Sequence, residues 1–145
     1  MVGSEYDQYD AVGLARLIAK GELGPSESIE AAICRIESRN PQLNAVIAKC
    51  FDAVRDSVAK GLPDGPLTGV PYLVKDLNTS LAGVPATNGS RAFANSIPES
   101  DGILVSRLKA AGLAILGKTN TPEFGLGSHT FNTVHGATCN PYDLG

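Results

Sequence analysis

Long apolar runs are missing from this chain of 145 residues: its purely apolar stretches span only a few positions, whereas a helix needs roughly 20 to cross a bilayer. A membrane is therefore not expected as a partner. Cysteine is scarce as well. Cys34, Cys50 and Cys139 are odd in number, widely spaced and free of any Cys-x-x-Cys pair, which argues against a disulfide framework and suits reduced thiols in the cytoplasm. No basic run or acidic tail occurs either. The 12 basic and 15 acidic residues are scattered, for a formal net charge of -3, so nucleic acid is not an expected partner. The opening segment, Met1 to Asp10, carries Glu5, Asp7 and Asp10 without a basic residue, unlike a secretory signal.

Amphipathic helices and glycine-punctuated strands are plentiful. Asp10 opens a helix through Val12, Leu14, Leu17 and Ile18, and Gly21 is its natural terminator. After Gly24 and Pro25, Ser26 is expected to cap a second helix with Ile29, Ala32, Ile33 and Ile36 on one face, ending at Asn40 and Pro41. A brief strand is read from Leu43 to Ile47, then a third helix through Ala53, Val54 and Val58 that runs out at Gly61 and Pro63. From there short β-branched segments replace long helices. Residues 1–62 thus read as a helical region and 63–145 as an α/β region, a subdivision within one domain. Val70 to Val74 and Leu113 to Leu116 read as buried strands. Asp101 to Ala111 reads as the crossover helix between them, with Ile103, Leu104, Val105 and Leu108 inward, which implies a parallel pair. Two irregular stretches, 78–100 and 119–145, come after the carboxyl ends of those strands, where open parallel sheets bind ligands.

Lys75 stands immediately after the apolar run Val70 to Val74. If the strand is buried, the ammonium loses water there, and an amine that is easier to deprotonate can serve as a general base. Position alone equally allows an ion pair with Asp76 or a side chain that snorkels to the surface. Lys118, after the second buried run, is read as a surface residue or a local carbonyl contact. Asn120 and Glu123 can order the following turn through side-chain hydrogen bonds to the backbone. His129 and His135 fit neither metal-pair spacing. Both are taken as polar loop residues, and no metal site is expected.

Several linked motifs then carry a resemblance. Gly69-Val70-Pro71-Tyr72-Leu73-Val74-Lys75-Asp76, Gly89-Ser90, Gly117-Lys118-Thr119-Asn120 with Pro122-Glu123-Phe124-Gly125, and Gly136-Ala137-Thr138-Cys139-Asn140-Pro141 resemble, in order and spacing, the amidase signature family. Ala31 to Asn44, with its Arg-Ile and Asn-Pro pairs, resembles it too. The resemblance implies an α/β fold in which N-terminal helices precede part of a mixed, largely parallel sheet, cut off before that sheet is complete. It implies a carboxylic amide as the small-molecule substrate and no cofactor. It also implies a Ser-cis-Ser-Lys triad in which Lys75 corresponds to the general base, drawing a proton from the nucleophilic serine through a bridging serine. Gly125, Leu126, Gly127 and Ser128 would lie at the substrate rim, and Lys118 would be structural.

In that family the run resembling Asn140 to Leu144 leads into the Gly/Ser-rich segment that carries both serines, so the resemblance places the nucleophile beyond Gly145. None of Ser80, Ser90, Ser96, Ser100, Ser106 or Ser128 has the required context, and the Ser128-His129 neighbourhood has no acidic partner. The leading expectation is thus the N-terminal part of an amidase, inactive in isolation. Gly69 to Asp76 and Thr121 to Gly125 look closer to general amidases than to amidotransferase subunits. The alternatives are a non-catalytic amidase-like remnant or binding module, and a Schiff-base role for Lys75 that would require a carbonyl substrate. Apolar surface left uncovered would favour homo-oligomers.

Overall fold

A computed structural model describes residues 6–144; the first five residues of the acidic opening segment and Gly145 lie outside it. The chain separates into two compact units, each assembled from three segments.

The first unit comprises the described part of Met1–Ser38 together with Cys50–Tyr72 and Arg107–Leu116. Helix α1 (Ala11–Ala19) begins where the Asp10 carboxylate accepts the Gly13 N–H at 2.7 Å. This cap satisfies a donor that the helix itself cannot pair. Gly21, at φ +72°, turns the chain away. Leu14 of α1 then packs with Leu23, Val70 and Leu113, flanked by Leu17, Ile18, Leu67 and Leu108.

Helix α2 (Pro25–Leu43) starts differently from the expectation. Ser26 is inside it, and the Glu27 carboxylate instead accepts the Gly24 N–H at 2.8 Å, the reciprocal half of a capping box, with Pro25 in the first turn where its missing N–H costs nothing. Ile29, Ala32 and Ile33 are buried on one face. Helix α3 (Phe51–Lys60) buries Phe51 and Val54 and ends at Gly61, φ +91°. Its Arg55 grips Glu30 with a two-pronged contact of 2.7 and 2.9 Å.

The second unit comprises Arg39–Lys49, Leu73–Ser106 and Gly117–Gly145, the last to residue 144. Here α2 passes through Asn40 and Pro41 instead of stopping: the Asn44 N–H still donates to the Asn40 carbonyl at 2.8 Å. The turn-off comes at Asn44, φ +49°. The Asn40 side chain secures the chain just past the helix, accepting from the Ala45 and Val46 N–H groups at 2.9 and 2.7 Å and donating to the Val46 carbonyl at 2.9 Å. The first strand is consequently displaced to β1 (Val46–Lys49).

Strands β1, β2 (Pro71–Lys75) and β3 (Ala114–Thr119) form one sheet in the order β1-β3-β2. β1 runs antiparallel to β3, with Ile47 as the extra residue of a bulge. The Ala114 N–H donates to Val70 O and the Asp76 N–H to Thr119 O, each at 2.9 Å. Both residue numbers advance together, so β2 and β3 are parallel and the sheet is mixed. At Gly117 a Cβ would collide with the Ala48 carbonyl oxygen across the β1–β3 pair, which is why this strand carries glycine.

Helix α4 (Ile103–Ala110) corrects one further expectation. Val105 is fully buried, while Ile103 and Leu104 are exposed. A helix turns about 100° per residue, so the face shared by Val105 and Leu108 leaves Ile103 roughly 200° from Val105. Stretch 78–100 is irregular apart from a 3-10 turn at Arg91–Phe93. Stretch 119–145, expected to be irregular, contains a 3-10 turn at Glu123–Gly125 and a hairpin of β4 (Phe131–Asn132) and β5 (Gly136–Ala137).

Candidate active site

The sheet order decides the environments of the two strand-end lysines. β2 is an edge strand and only Val74 of its five residues is buried. Lys75 is exposed, which overturns the expected buried strand end, and among the described residues its side chain makes no hydrogen bond or ion pair, with Asp76 or any other group. Successive side chains on a strand face opposite ways, so Asp76 points inward and is 1% exposed.

Lys118 is the buried lysine, at 0% exposure on the central strand. Its Nζ donates to the carbonyls of Thr79 at 3.0 Å and Pro85 at 2.9 Å and pairs with Asp76 Oδ1. Three acceptors match the three N–H bonds of an ammonium group. A buried charge is tolerable only when paired and hydrogen-bonded in this way. Both parts of the sequence reading of Lys118 are therefore corrected: it is buried, and the carbonyls it meets lie 39 and 33 positions away in the chain instead of locally.

The Asp76 carboxylate accepts more than the lysine. The Thr87 backbone N–H lies 3.2 Å from each carboxylate oxygen, and the Thr87 hydroxyl donates to Oδ2. The first part of stretch 78–100 is thus folded around an ion pair through Thr79, Pro85 and Thr87. Thr87 in turn contacts His135: Oγ1 and Nε2 are 3.2 Å apart, and Nε2 is 4.0 Å from Asp76 Oδ2. Burial pushes the His135 imidazole below the ordinary histidine range; the Asp76 charge opposes this and Lys118 adds to it. His135 is accordingly part of a buried polar relay, not simply a loop residue. The sequence offered no local signal for this contact, which joins positions 48 apart.

Asparagines hold the hairpin that carries His135. Asn120 Oδ1 accepts the Thr121 N–H at 2.9 Å, ordering the turn as expected, and also accepts Asn132 Nδ2 at 2.7 Å. Asn132 Oδ1 accepts the Val134 and His135 N–H groups at 2.9 and 2.7 Å. From the end of α2, Asn44 Nδ2 donates to the carbonyls of His135 and Ala137 at 2.7 and 2.9 Å.

The four residues expected at the rim form the bend after β3. Gly125 is partly buried, and a Cβ there would come within 2.8 Å of Leu77; Leu126, Gly127 and Ser128 are exposed. Phe124, at φ +51°, occupies a region unfavourable to a bulky residue, a form of strain associated with functional sites. Its N–H donates to the Asn88 carbonyl at 2.8 Å and its ring meets Phe93 edge-on, with centroids 6.0 Å apart. The bend and stretch 78–100 therefore touch directly. Lys75 ends β2 and Thr119 ends the adjacent parallel strand, so topology puts Lys75 and the segment leading into this bend at carboxyl ends of the same sheet. Among the described residues no group of three or more His, Cys, Asp or Glu could hold a metal, and no helix is long and apolar enough to cross a membrane.

The fold and this site define an α/β chain with a buried lysine–aspartate pair and a second lysine whose side chain is exposed at the end of β2. The Amidase family matches residues 27–145, and the chain belongs to that family. A 6-aminohexanoate-cyclic-dimer hydrolase of Paenarthrobacter ureafaciens is 40% identical, matching 94% of this chain and 28% of its own length. A glutamyl-tRNA(Gln) amidotransferase subunit of Salinispora tropica is likewise 40% identical, over 97% of this chain and 30% of its own length. A solved structure of 6-aminohexanoate cyclic dimer hydrolase complexed with substrate superimposes with a TM-score of 0.87 at 39% identity, covering 94% of this chain and 28% of that one. The chain thus spans less than a third of the length of these relatives, and it corresponds to their N-terminal portion.

Proposed function

We propose that this chain is the N-terminal part of an amidase that hydrolyses a carboxylic amide to an acid and an amine or ammonia through an acyl-enzyme. Lys75 is the general base, and the nucleophilic and bridging serines are supplied by sequence beyond Gly145. One observation carries the assignment of the base: all three N–H bonds of Lys118 are engaged in a fully buried ammonium. Lys118 has no capacity left to accept a proton, whereas the amine of Lys75 is uncommitted. Gly125, Leu126, Gly127 and Ser128 border the substrate, on a bend fixed by the Phe124–Asn88 bond.

In this reading the neutral amine of Lys75 takes the proton that leaves the attacking serine hydroxyl. The serine oxygen becomes acylated as the substrate's C–N bond breaks, the proton taken by Lys75 passes to the leaving nitrogen, and water then hydrolyses the acyl-enzyme to the acid and restores the serine hydroxyl. Chemistry needs both parts of the polypeptide. The 145-residue chain alone is expected to show no turnover, because without the nucleophile the covalent step cannot occur.

The equal identity to an amidotransferase subunit favours a second reading, in which the amide nitrogen is transferred to an acceptor instead of being released. The test is to read the coding sequence downstream of codon 145 and assay the polypeptide it encodes on simple amides, with and without an added acceptor. A Gly/Ser-rich segment downstream together with acceptor-independent hydrolysis supports the amidase. Turnover by the pure 145-residue chain, abolished in Lys75→Ala, would overturn the division of labour.

A further inference from the structure

The Thr87 hydroxyl has one hydrogen and two lone pairs. Its hydrogen is committed to Asp76 Oδ2, and it accepts the Gly89 N–H at 3.0 Å. The remaining neighbour, His135 Nε2 at 3.2 Å, therefore meets a lone pair and must itself bring the proton. Hydrogen-bond accounting around this single oxygen fixes the tautomer. It makes His135 the Nε2–H form, the outer end of a directed relay from His135 to Thr87 to Asp76, with Lys118 closing the other end.

We infer that His135 is an acid-sensitive latch: its neutral Nε2–H form docks the β4–β5 hairpin on the Thr87 segment, and protonation releases it. Charge is the reason. Two charged groups face the imidazole, Asp76 at the end of β2 and Lys118 on β3. The single negative charge of Asp76 is already matched by the buried ammonium of Lys118. An imidazolium would be a second cation beside one carboxylate, half-buried and without a counter-ion of its own, a costly arrangement that hydration of the released ring relieves.

The remaining hairpin contacts come from neutral groups. Asn132 binds the His135 N–H, and Asn44 binds the His135 and Ala137 carbonyls. They do not titrate. Among these contacts of the described residues, acidification acts on the docking of this hairpin through the His135 ring. The inference does not depend on the chemistry assigned to Lys75, so failure of either leaves the other standing.

The test is amide hydrogen exchange followed by NMR on the 145-residue chain between pH 7.5 and 5.5, corrected for the intrinsic pH dependence of exchange. The hairpin reporter is the Thr138 N–H, bonded to Thr130 O at 3.0 Å; the Ala114 N–H, bonded to Val70 O, is the sheet reference. The expected result is a several-fold loss of protection at Thr138 as the pH falls, with none at Ala114. In His135→Gln the side-chain amide can donate in place of Nε2–H but cannot titrate, and the loss should vanish. Equal losses in wild type and variant, or an unchanged Thr138 in wild type, would overturn the latch. Imidazole nitrogen shifts in the wild-type chain provide a check that needs no variant. A dominant Nδ1–H tautomer at pH 7.5, or ring titration without movement of the hairpin amides, would also overturn it.

Discussion

Lys118 and Asp76 show what a single buried residue can control. Replacing Lys118 with methionine keeps an unbranched side chain, one atom shorter, but leaves the Asp76 charge and two carbonyls without their partner. Loss of one member of a buried pair costs about 3–5 kcal/mol, so Lys118→Met should lower unfolding free energy on that scale in denaturant titrations. Lys75→Ala should hardly move it. Amine acylation mapped by mass spectrometry should separate the same two residues, with Lys75 modified in the folded chain and Lys118 only after unfolding. Comparable rates at both would refute the assignment. The two lysines looked alike in the sequence, since each comes after an apolar run and precedes an acid or a polar turn. Which one is buried depends on strand order, edge against centre, and no local pattern encodes that order. The histidine spacing likewise excluded a metal pair without revealing that His135 reaches Thr87.

At the scale of elements, local signals that rest on the backbone were legible. Asp10 caps α1, Gly61 ends α3, and the expected apolar faces are buried at Leu14 of α1 and at Ile29, Ala32 and Ile33 of α2, whereas Val12 of α1 is exposed. Errors arose where a nearby side chain replaced the usual partner. Pro41 forgoes one backbone donor, yet α2 continues because Asn40 ties down Ala45 and Val46 beyond its end. Asn40→Ala should therefore cost about 1–3 kcal/mol, the penalty for buried backbone groups left unpaired, and should disorder the entry to β1 first. Ser28 makes a contrasting case. Its hydroxyl is fully buried on α2 and has no hydrogen-bond partner among the described residues, so Ser28→Ala should be neutral or stabilising in thermal unfolding. A loss exceeding about 1 kcal/mol would mean that the hydroxyl is satisfied.

For the whole molecule, stability should respond to pH through His135. Above about 6.5, the ordinary histidine value, the ring is neutral in folded and unfolded chains alike and contributes no pH dependence. Below it the unfolded chain takes up the proton first, because the folded value is lowered. Stability therefore declines as the pH falls, until the folded ring is protonated as well. The denaturant midpoint should drop between pH 7.5 and 5.5, and by less in His135→Gln. Family membership was readable from linked motifs spread over most of the chain, because close approaches such as Gly117 against Ala48 leave little choice of residue. The chemistry was less so, since it turns on which lysine remains free. The most direct measurement of that point is kcat for amide hydrolysis by Lys75→Ala, in the polypeptide that continues through the Gly/Ser-rich segment, alongside its melting temperature. Loss of a general base predicts a fall of about 10²–10⁴-fold with little change in melting; near-normal kcat in a folded variant would contradict the account.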